Sequence, residues 1–262
     1  VVTILDLCHL DYPNLKEYSK SKEFKRREDF LKNEIKKLYF TVVESEDTKT
    51  KLHTYYNMQK ENILIKYFDI SKNLIAQNID EISELKNKKF IFYPSNYLFH
   101  KNHKLIIEAF KNITNKNIKI VFSGNDRGYL KSIKNLVNKN NLNNIFHFYE
   151  ELNLSAMKFL YTNCFAIVFP SIFGPANIPL FEAWYLKKPI LYPSSFSKFS
   201  KNGAIYFDEF NAKSLAQAID LLDVKEIREE KISEGKKMYQ YYRNEDKKFI
   251  NSLNHKFNKN TN

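Results

Sequence analysis

Residues 165–183 carry, in a suitable order, the residue types that a phosphate-binding turn needs. An apolar run over 165–169 predicts a buried strand, and a loop containing Gly174 leads into a helix that is predicted to begin near residue 177. The free N–H groups and the dipole of a helix N-terminus attract anions. We therefore expect an anion at the start of this helix, on the backbone of Ala176, Asn177 and Ile178.

Glu182 lies one turn further into the same predicted helix. A carboxylate at that place can accept hydrogen bonds from hydroxyl groups such as those of a ribose. Together, the helix start and Glu182 predict a site for a nucleoside diphosphate. An ordinary strand–helix turn with a solvated Glu182 would show the same short pattern, so both interpretations stay open at this point.

A second group of candidate residues follows another predicted strand, at 93–103. Lys101 stands at the start of a predicted helix, where a cation opposes the helix dipole and is unfavourable for stability. The position makes sense if an anion lies between Lys101 and the helix; the alternative is one more solvated lysine among 42 basic residues. His100 and His103 suggest a metal pair, but no acidic or cysteine partner lies nearby, so no metal site is expected.

Residues 168–183 resemble the donor-nucleotide motif of GT-B glycosyltransferases, in particular the retaining family-4 group, the glycosyl transferases group 1. The usual form of this motif is Pro-Ser, then Glu, seven residues and Glu-Ala. Glu182 matches the second Glu, and Gly174 stands in the place of the first. The run that begins at Gly174 is similar to a Gly-Pro-Thr-Asn-Ile-Pro variant found in polysaccharide- and O-antigen-assembly members. The resemblance implies that Glu182 binds the ribose, and that Gly174 and residues 176–178 face phosphate or sugar.

Residues 93–103 resemble the segment in which this family has Gly-Arg, four residues and Lys. Lys101 matches the lysine, and Asn96 stands where arginine is common. The resemblance implies a catalytic role for Lys101, whose charge would neutralise the leaving diphosphate, and places Asn96 on the donor side.

Residues 2–13 resemble a Val-Thr-Ile-His-Asp-Leu stretch midway through the N-terminal domain of these enzymes. Asp6 matches the aspartate and is a candidate catalytic residue, whereas Leu5 replaces a histidine and cannot move a proton. The alternatives are that Asp6 caps a turn and that His9 is a packed side chain. The match implies that the first domain lacks its N-terminal half.

Predicted strands and helices alternate along the chain, and most of the strands are apolar throughout, as in parallel sheets that helices cover on both faces. Helices are predicted over 22–38, 126–138, 224–242 and 244–258, with Ser45 as the N-cap of a further helix and Asn125 or Asp126 as a cap after the strand at 118–122. With the resemblance, this predicts an α/β fold of the GT-B type: two Rossmann-like, doubly wound parallel-sheet domains, the first one incomplete. Residues 1–70 are expected to be the second half of the acceptor-side domain and 71–88 a linker. Residues 89–243 would form the nucleotide-sugar-binding domain, and 244–262 a last helix that returns to the first domain, with a frayed tail.

The net charge of +12 comes from lysines spread along the chain, which suits a general attraction to sugar nucleotides and acidic lipid surfaces. No zinc-finger or RNA-recognition signature is present, so no specific nucleic-acid partner is expected. Cys8 and Cys164 lie in apolar surroundings, which favours buried, reduced thiols. No apolar run is long enough to span a membrane, and the predicted location is the cytoplasm, with peripheral contact at the inner face of the cell membrane.

The resemblance implies that the protein transfers a hexose from a nucleoside-diphosphate sugar to a polysaccharide or lipid-linked glycan, with retention at the anomeric carbon and without a metal or other cofactor. Two alternatives belong to other classes. Leu5, Asn96 and Gly174 favour a truncated, non-catalytic remnant that binds nucleotide. The basic composition favours a module that binds membrane or nucleic acid.

Overall fold

The computed structural model describes residues 1–15, 22–70, 74, 78–174 and 178–258. The chain forms two compact units. The first comprises Val1–Phe68, Phe173–Ala176 and Gln240–Asn262, and the second comprises Asp69–Ile172 and Asn177–Tyr239. Each unit contains a parallel sheet whose strands are connected by helices, so the predicted α/β class is confirmed.

The sheet of the first unit has three parallel strands: β1 (Val2–Ile4), β2 (Thr41–Val43) and β3 (Ile63–Ile65), in that order. The helices between them are α1 (Cys8–Asp11), α2 (Glu23–Asn33) and α3 (Glu46–Tyr56). The apolar sides of α2 and α3 pack on the strands. The buried core includes Leu31, Ile35, Val43, Leu52 and Ile63.

Capping residues set the ends of the helices in the first unit. Ser45, the predicted N-cap of α3, accepts a hydrogen bond from the backbone N–H of Thr48 at 3.2 Å. Asn57 ends α3 with a φ of 55°, in the left-handed region that asparagine tolerates better than most residues. The helix predicted over 22–38 is shorter than expected, because α2 ends at Asn33 and a separate 3-10 turn, Ile35–Lys37, leads into extended backbone at Leu38.

The second unit has a sheet of six parallel strands. They are β4 (Phe90–Pro94), β5 (Lys119–Ser123), β6 (Phe146–Tyr149), β7 (Ala166–Val168), β8 (Ile190–Pro193) and β9 (Ile205–Phe207). Their spatial order is β6-β5-β4-β7-β8-β9. The chain therefore builds outward from β4 in one direction and from β7 in the other. In such a sheet the loops at the carboxyl ends of the two central strands diverge and leave a crevice, the usual place for a ligand.

Seven helices accompany this sheet in the described part of the chain. They are α4 (His103–Phe110), α5 (Leu130–Lys139), α6 (Leu154–Asn163), α7 (Ile178–Tyr185), α8 (Ser197–Ser200), α9 (Ala212–Leu221) and α10 (Lys225–Asn258). The expectation of separate helices over 224–242 and 244–258 is wrong, because α10 is continuous. No glycine or proline interrupts it at the junction, and an ion pair between Arg243 and Asp246, with nitrogen and oxygen 3.0 Å apart, supports the helix there.

The C-terminal part of α10 belongs to the first unit. There the Tyr39 hydroxyl donates to the Lys256 carbonyl oxygen at 2.9 Å, and Lys66 pairs with Asp246 at 3.0 Å. The predicted frayed tail, 259–262, and residues 71–73 and 75–77 of the predicted linker lie outside the described residues. Within the described residues, no helix is both long and apolar enough to cross a membrane.

Trp184 fixes the position of α7 in the second unit. Its indole N–H donates to the Gly203 carbonyl oxygen at 2.8 Å, and the ring is buried. Gly235 of α10 lies directly against this ring, since a Cβ atom at that position would be 2.4 Å from Cδ1 of Trp184. The tryptophan thus anchors the helix that carries Glu182.

Candidate functional site

The turns that follow β4 and β7 are joined at the centre of the second sheet. The backbone N–H of Ile172, after β7, donates to the carbonyl oxygen of His100, after β4, at 3.0 Å. These are the two adjacent strands at which the order of the sheet reverses. Lys101 lies in the first turn and Ile172 in the second, so both predicted phosphate-binding stretches start at the same crevice.

Lys101 ends a 3-10 turn, Phe99–Lys101, that precedes α4. Its Nζ atom lies 5.1 Å from the centre of the ring of Phe169, the residue that follows β7. Its backbone carbonyl oxygen accepts a hydrogen bond from the Tyr93 hydroxyl at 2.6 Å. Lys101 is half-buried, and its ammonium group lies at the carboxyl ends of the two central strands.

Glu182 is a buried residue of α7, with 5% of its surface exposed. Its Oε2 atom accepts a hydrogen bond from the Tyr161 hydroxyl of α6. The alternative of a solvated Glu182 is therefore wrong. The sequence did not single out Tyr161, because a tyrosine among the apolar residues of a helix has the appearance of an ordinary core residue.

Asn96 ties two loops of the second unit together. Its side-chain oxygen accepts a hydrogen bond from the backbone N–H of Asn125 at 2.8 Å. The loops approach so closely that a Cβ atom on Gly124 would lie 2.3 Å from the carbonyl oxygen of Ser95. That Asn96 faces the donor stays a prediction. In the structure, its side-chain oxygen links the two loops by binding the N–H of Asn125.

Asp126 caps the turn that precedes α5, whereas the N-cap residue of the helix itself is Tyr129. Its Oδ1 atom accepts hydrogen bonds from the backbone N–H groups of Gly128, Tyr129 and Leu130 at 2.7 to 3.1 Å. These backbone donors, led by that of Leu130, lower the pKa of Asp126. Because these hydrogen bonds form a turn over residues 126–129, α5 begins at Leu130 and not at Asp126 as predicted.

Gly174 has a φ of +87°, in the region that residues with a side chain rarely adopt. This backbone conformation favours glycine at the position. The segment groups with the first unit, where the Phe173 ring lies 6.0 Å from that of Tyr12. Ala176 and Asn177 lie outside the described residues, and Ile178 is the first residue of α7, with 42% of its surface exposed.

His103 is a packed side chain of the second unit. Its ring stacks on Tyr97 at 4.8 Å between centroids and also contacts Tyr93 at 4.6 Å. Burial lowers the pKa of His103 to about 3, so the ring is neutral at physiological pH. Across the described ranges, no group of three or more His, Cys, Asp or Glu side chains is arranged to hold a metal ion.

Asp6 follows β1 in the first unit and has two partners. Its Oδ1 atom accepts from the backbone N–H of Cys8 at 3.1 Å and from Nη1 of Arg27 at 2.8 Å. The interpretation of Asp6 as a cap is confirmed, while a catalytic role stays a prediction. The preceding Leu5 is 54% exposed. His9 is fully buried, and its Nε2 atom lies 3.1 Å from Oε1 of Glu28, so its interpretation as a packed side chain is confirmed.

A cleft of about 280 Å³ runs along β1 of the first unit. Its charged lining consists of Asp6, Glu23, Arg26 and Arg27. Arg26 and Arg27 pair with Glu23 at 2.7 and 3.0 Å, and Arg27 also pairs with Asp6. The arginine charges in the cleft are therefore compensated by carboxylates of the same unit.

Glu44 is a functional candidate that sequence reasoning missed. It directly follows β2, is only 3% exposed, and accepts a hydrogen bond from the Thr48 hydroxyl at 3.1 Å. Burial raises the pKa of Glu44 to about 7. Its position right after an apolar strand, next to the cap residue Ser45, is the signal that would have indicated a buried acid.

The two cysteines are free and buried. Burial raises the pKa of both thiols, that of Cys164 to about 12, so neither is a reactive thiolate at neutral pH. The expectation of buried, reduced thiols agrees with this arrangement.

Three comparisons with known proteins bear on this geometry. Over 191 residues the chain is 24% identical to the O-antigen chain mannosyltransferase RfbU of Salmonella typhimurium, covering 72% of this chain and 52% of that protein. The chain thus spans about half the length of this curated relative. Sucrose-phosphate synthase from Thermosynechococcus elongatus has a similar structure, with a TM-score of 0.78 and 15% identity over 98% of this chain and 67% of that one.

Anabaena HepE, solved in complex with UDP-glucose, is similar with a TM-score of 0.74 and 15% identity, over 97% of this chain and 72% of that chain. These structural similarities confirm the predicted GT-B fold. Residues 75–238, more than half of the sequence, match the family described as Glycosyl transferases group 1. The chain therefore belongs to the family of glycosyl transferases group 1.

Proposed function

We propose that the second unit binds a nucleoside-diphosphate sugar at the crevice between β4 and β7. The observation that carries this proposal is the position of the Lys101 ammonium group, 5.1 Å from the Phe169 ring at the carboxyl ends of the two central strands. Glu182, buried in α7, is then the residue that accepts hydrogen bonds from the ribose.

The chemistry follows from the charge that develops on the leaving group. When the bond between the anomeric carbon and the diphosphate breaks, negative charge accumulates on the phosphate oxygens. The positive charge of Lys101 and the N-terminus of α7, which begins at Ile178, stabilise that charge. In this proposal they act in place of a metal, so we expect transfer without a metal or other cofactor.

The transferred group in this proposal is a hexose, the acceptor is a polysaccharide or lipid-linked glycan, and the anomeric configuration is retained. The names of two similar proteins support the donor and acceptor classes: one is a mannosyltransferase of O-antigen chains and the other was solved with UDP-glucose. The net charge of +12 supports a place at the cytoplasmic, anionic face of the cell membrane.

A second candidate function is nucleotide binding without transfer. The observation that favours it lies in the first unit, where Leu5 provides no proton-transferring group and Asp6 is held by Arg27. Both functions predict nucleotide binding, and only the first predicts that the diphosphate is released from the sugar.

The experiment measures release of nucleoside diphosphate from UDP-, GDP-, dTDP- and ADP-hexoses, with the hexosyl group passing to water or to an added glycan acceptor, by the chain and by a Lys101→Met variant. Methionine keeps most of the length of the side chain and removes the charge. We expect release from one of the donors and a loss in kcat of roughly 10²- to 10³-fold in the variant, because removing one stabilising group from a developing oxyanion typically costs that much.

The matched control is Lys104→Met, which changes an exposed lysine of α4 that pairs with Glu108 at 3.3 Å. It should release the diphosphate at the unaltered rate. Equal rates for the chain and Lys101→Met would contradict the proposed role of Lys101. Tight binding of a nucleotide with no release of diphosphate would establish the second candidate function.

A further inference from the structure

The carboxylate proposed to bind ribose is held from within the second unit. Glu182 lies in α7, and its Oε2 atom accepts a hydrogen bond from the hydroxyl of Tyr161 in α6. Both residues are buried, with exposed fractions of 5% for Glu182 and 3% for Tyr161. A carboxylate in such surroundings needs donors to compensate for its lost water, and the phenol is one of them.

The tyrosine is itself fixed by the central strand of the sheet. Its ring lies edge-on to Phe92 of β4, with the centroids 5.1 Å apart. The turn that follows β4 carries Lys101. Tyr161 therefore connects the strand that places the lysine with the helix that places the carboxylate.

The phenol can act only as a donor to Glu182. Burial raises the pKa of Tyr161 well above its ordinary value, and the neighbouring Glu182 raises it further. The hydroxyl therefore keeps its proton over the whole working pH range. A donor that never ionises fixes the plane of the carboxylate, so Glu182 does not have to find its orientation when ligand arrives.

We propose that Tyr161 is a positioning residue of the nucleotide site: by holding Oε2 of Glu182, it orients the carboxylate toward the ribose hydroxyls of a bound nucleoside diphosphate. This inference rests on the proposed function, because it requires the nucleotide to lie at Glu182. Tyr161 acts through the carboxylate and does not touch the ligand.

The test uses Tyr161→Phe, which keeps the ring against Phe92 and removes only the hydroxyl. Calorimetry measures the dissociation constants of UDP, GDP and ADP, each beside its 2′-deoxy and 3′-deoxy counterpart. The chain should prefer the ribonucleotide that it binds over at least one deoxy counterpart by about tenfold, as expected for loss of one hydrogen bond to a charged group. In Tyr161→Phe this preference should fall to about twofold or less, because the substitution weakens binding of the ribonucleotide and not of the deoxynucleotide.

Two further variants separate positioning from a general structural effect. Tyr206→Phe removes a partly buried hydroxyl of β9 that donates to the Lys201 carbonyl oxygen, and should leave the preference for ribose intact. In a Glu182→Gln background, the additional Tyr161→Phe change should no longer alter the preference. Non-additivity of this kind marks two residues that act as one unit.

The outcomes are distinguishable. If the unaltered chain binds none of these nucleotides, the proposed function fails and the inference fails with it. If the chain binds a ribonucleotide but Tyr161→Phe weakens the ribo and deoxy forms equally, or changes neither, the proposed function stands and the positioning role of Tyr161 is overturned.

Discussion

The two units of this protein differ in the side chains that lie beside their central strands. The second unit has a core of aromatic rings around its central strands, in which the centroid of the Tyr93 ring lies 6.0 Å from that of Phe122 and 5.7 Å from that of Phe169. The first unit buries charged and polar groups beside its three-stranded sheet. Glu28, for example, accepts hydrogen bonds from the Tyr56 hydroxyl and pairs with Lys32 at 2.7 Å.

This difference indicates how each unit responds to its surroundings. Contacts between phenyl rings carry no charge that changes with pH. The polar groups of the first unit change charge, and its stability should change with them. Trp184 is the only tryptophan of the chain and lies in the second unit, so its fluorescence reports on that unit alone, whereas circular dichroism reports on both.

The largest effect on stability is expected from Glu28→Ala in the first unit. The change leaves His9 and Tyr56 without their shared carboxylate in a buried place. Breaking such a group should cost about 2–4 kcal/mol of unfolding free energy. Urea unfolding followed by circular dichroism measures it, with the exposed Asp29→Ala on the same helix as control. An equal change in the Trp184 fluorescence midpoint would contradict the assignment of this network to the first unit.

The second prediction concerns the pH dependence of the first unit. Burial raises the pKa of Glu44 to about 7 in the folded chain, above the ordinary value of 4.5. Between these values the folded state holds a proton that the unfolded state has lost, so the stability contributed by this group is complete below pH 4.5 and declines until about pH 7.

Glu44→Gln imitates the protonated acid and should remove this decline. The unfolding free energy of Glu44→Gln relative to that of the chain should be roughly 2–4 kcal/mol higher at pH 8 than at pH 4.5. This value follows from about 1.4 kcal/mol per unit of pKa shift. Urea unfolding at a series of pH values from 4.5 to 8 checks it, with the exposed Glu46→Gln as control. Parallel stability curves for the chain and Glu44→Gln would show that Glu44 does not titrate in this range.

The smallest effect is expected from Gly235→Ala in the second unit. Its Cβ atom would lie 2.4 Å from the Trp184 ring, so the ring or α10 must move. The helix propensity of alanine offsets part of the cost, and a net loss of about 1–3 kcal/mol is expected for overpacking. The fluorescence midpoint of Trp184 in urea measures it directly, with the exposed Lys236→Ala as control. A stability equal to or above that of the chain would show that the space between residue 235 and the Trp184 ring can hold a methyl group.

The sequence predicted those features that depend on neighbours along the chain. The alternation of apolar strands with helices and the N-cap at Ser45 are local patterns, and the structure confirms them. Asp126 caps the turn before α5 and not the helix itself. Each of the turns after β4 and β7 was recognised from its strand-to-helix composition, and the family resemblance implied that both serve one donor site. The roles of Lys101 and Glu182 toward a ligand remain predictions.

The features that the sequence missed depend on contacts between distant elements. Tyr161 and Glu182 are 21 residues apart and meet only because α6 and α7 both pack on the second sheet. The burial of Glu44 likewise depends on the packing of α3 and of the turn after β1 around β2. Local sequence patterns do not reveal such tertiary contacts, which form only when the complete sheet is assembled.

The central claim is that the crevice of the second unit binds a nucleoside diphosphate through Glu182, and calorimetry tests it most directly. UDP, GDP, dTDP and ADP are titrated into the chain, into Glu182→Gln and into Glu226→Gln, an exposed control on α10. The account predicts that one nucleotide binds, that Glu182→Gln weakens it by about tenfold or more, and that Glu226→Gln does not change it. Absence of binding for all four nucleotides, or equal affinity for the chain and Glu182→Gln, would contradict it.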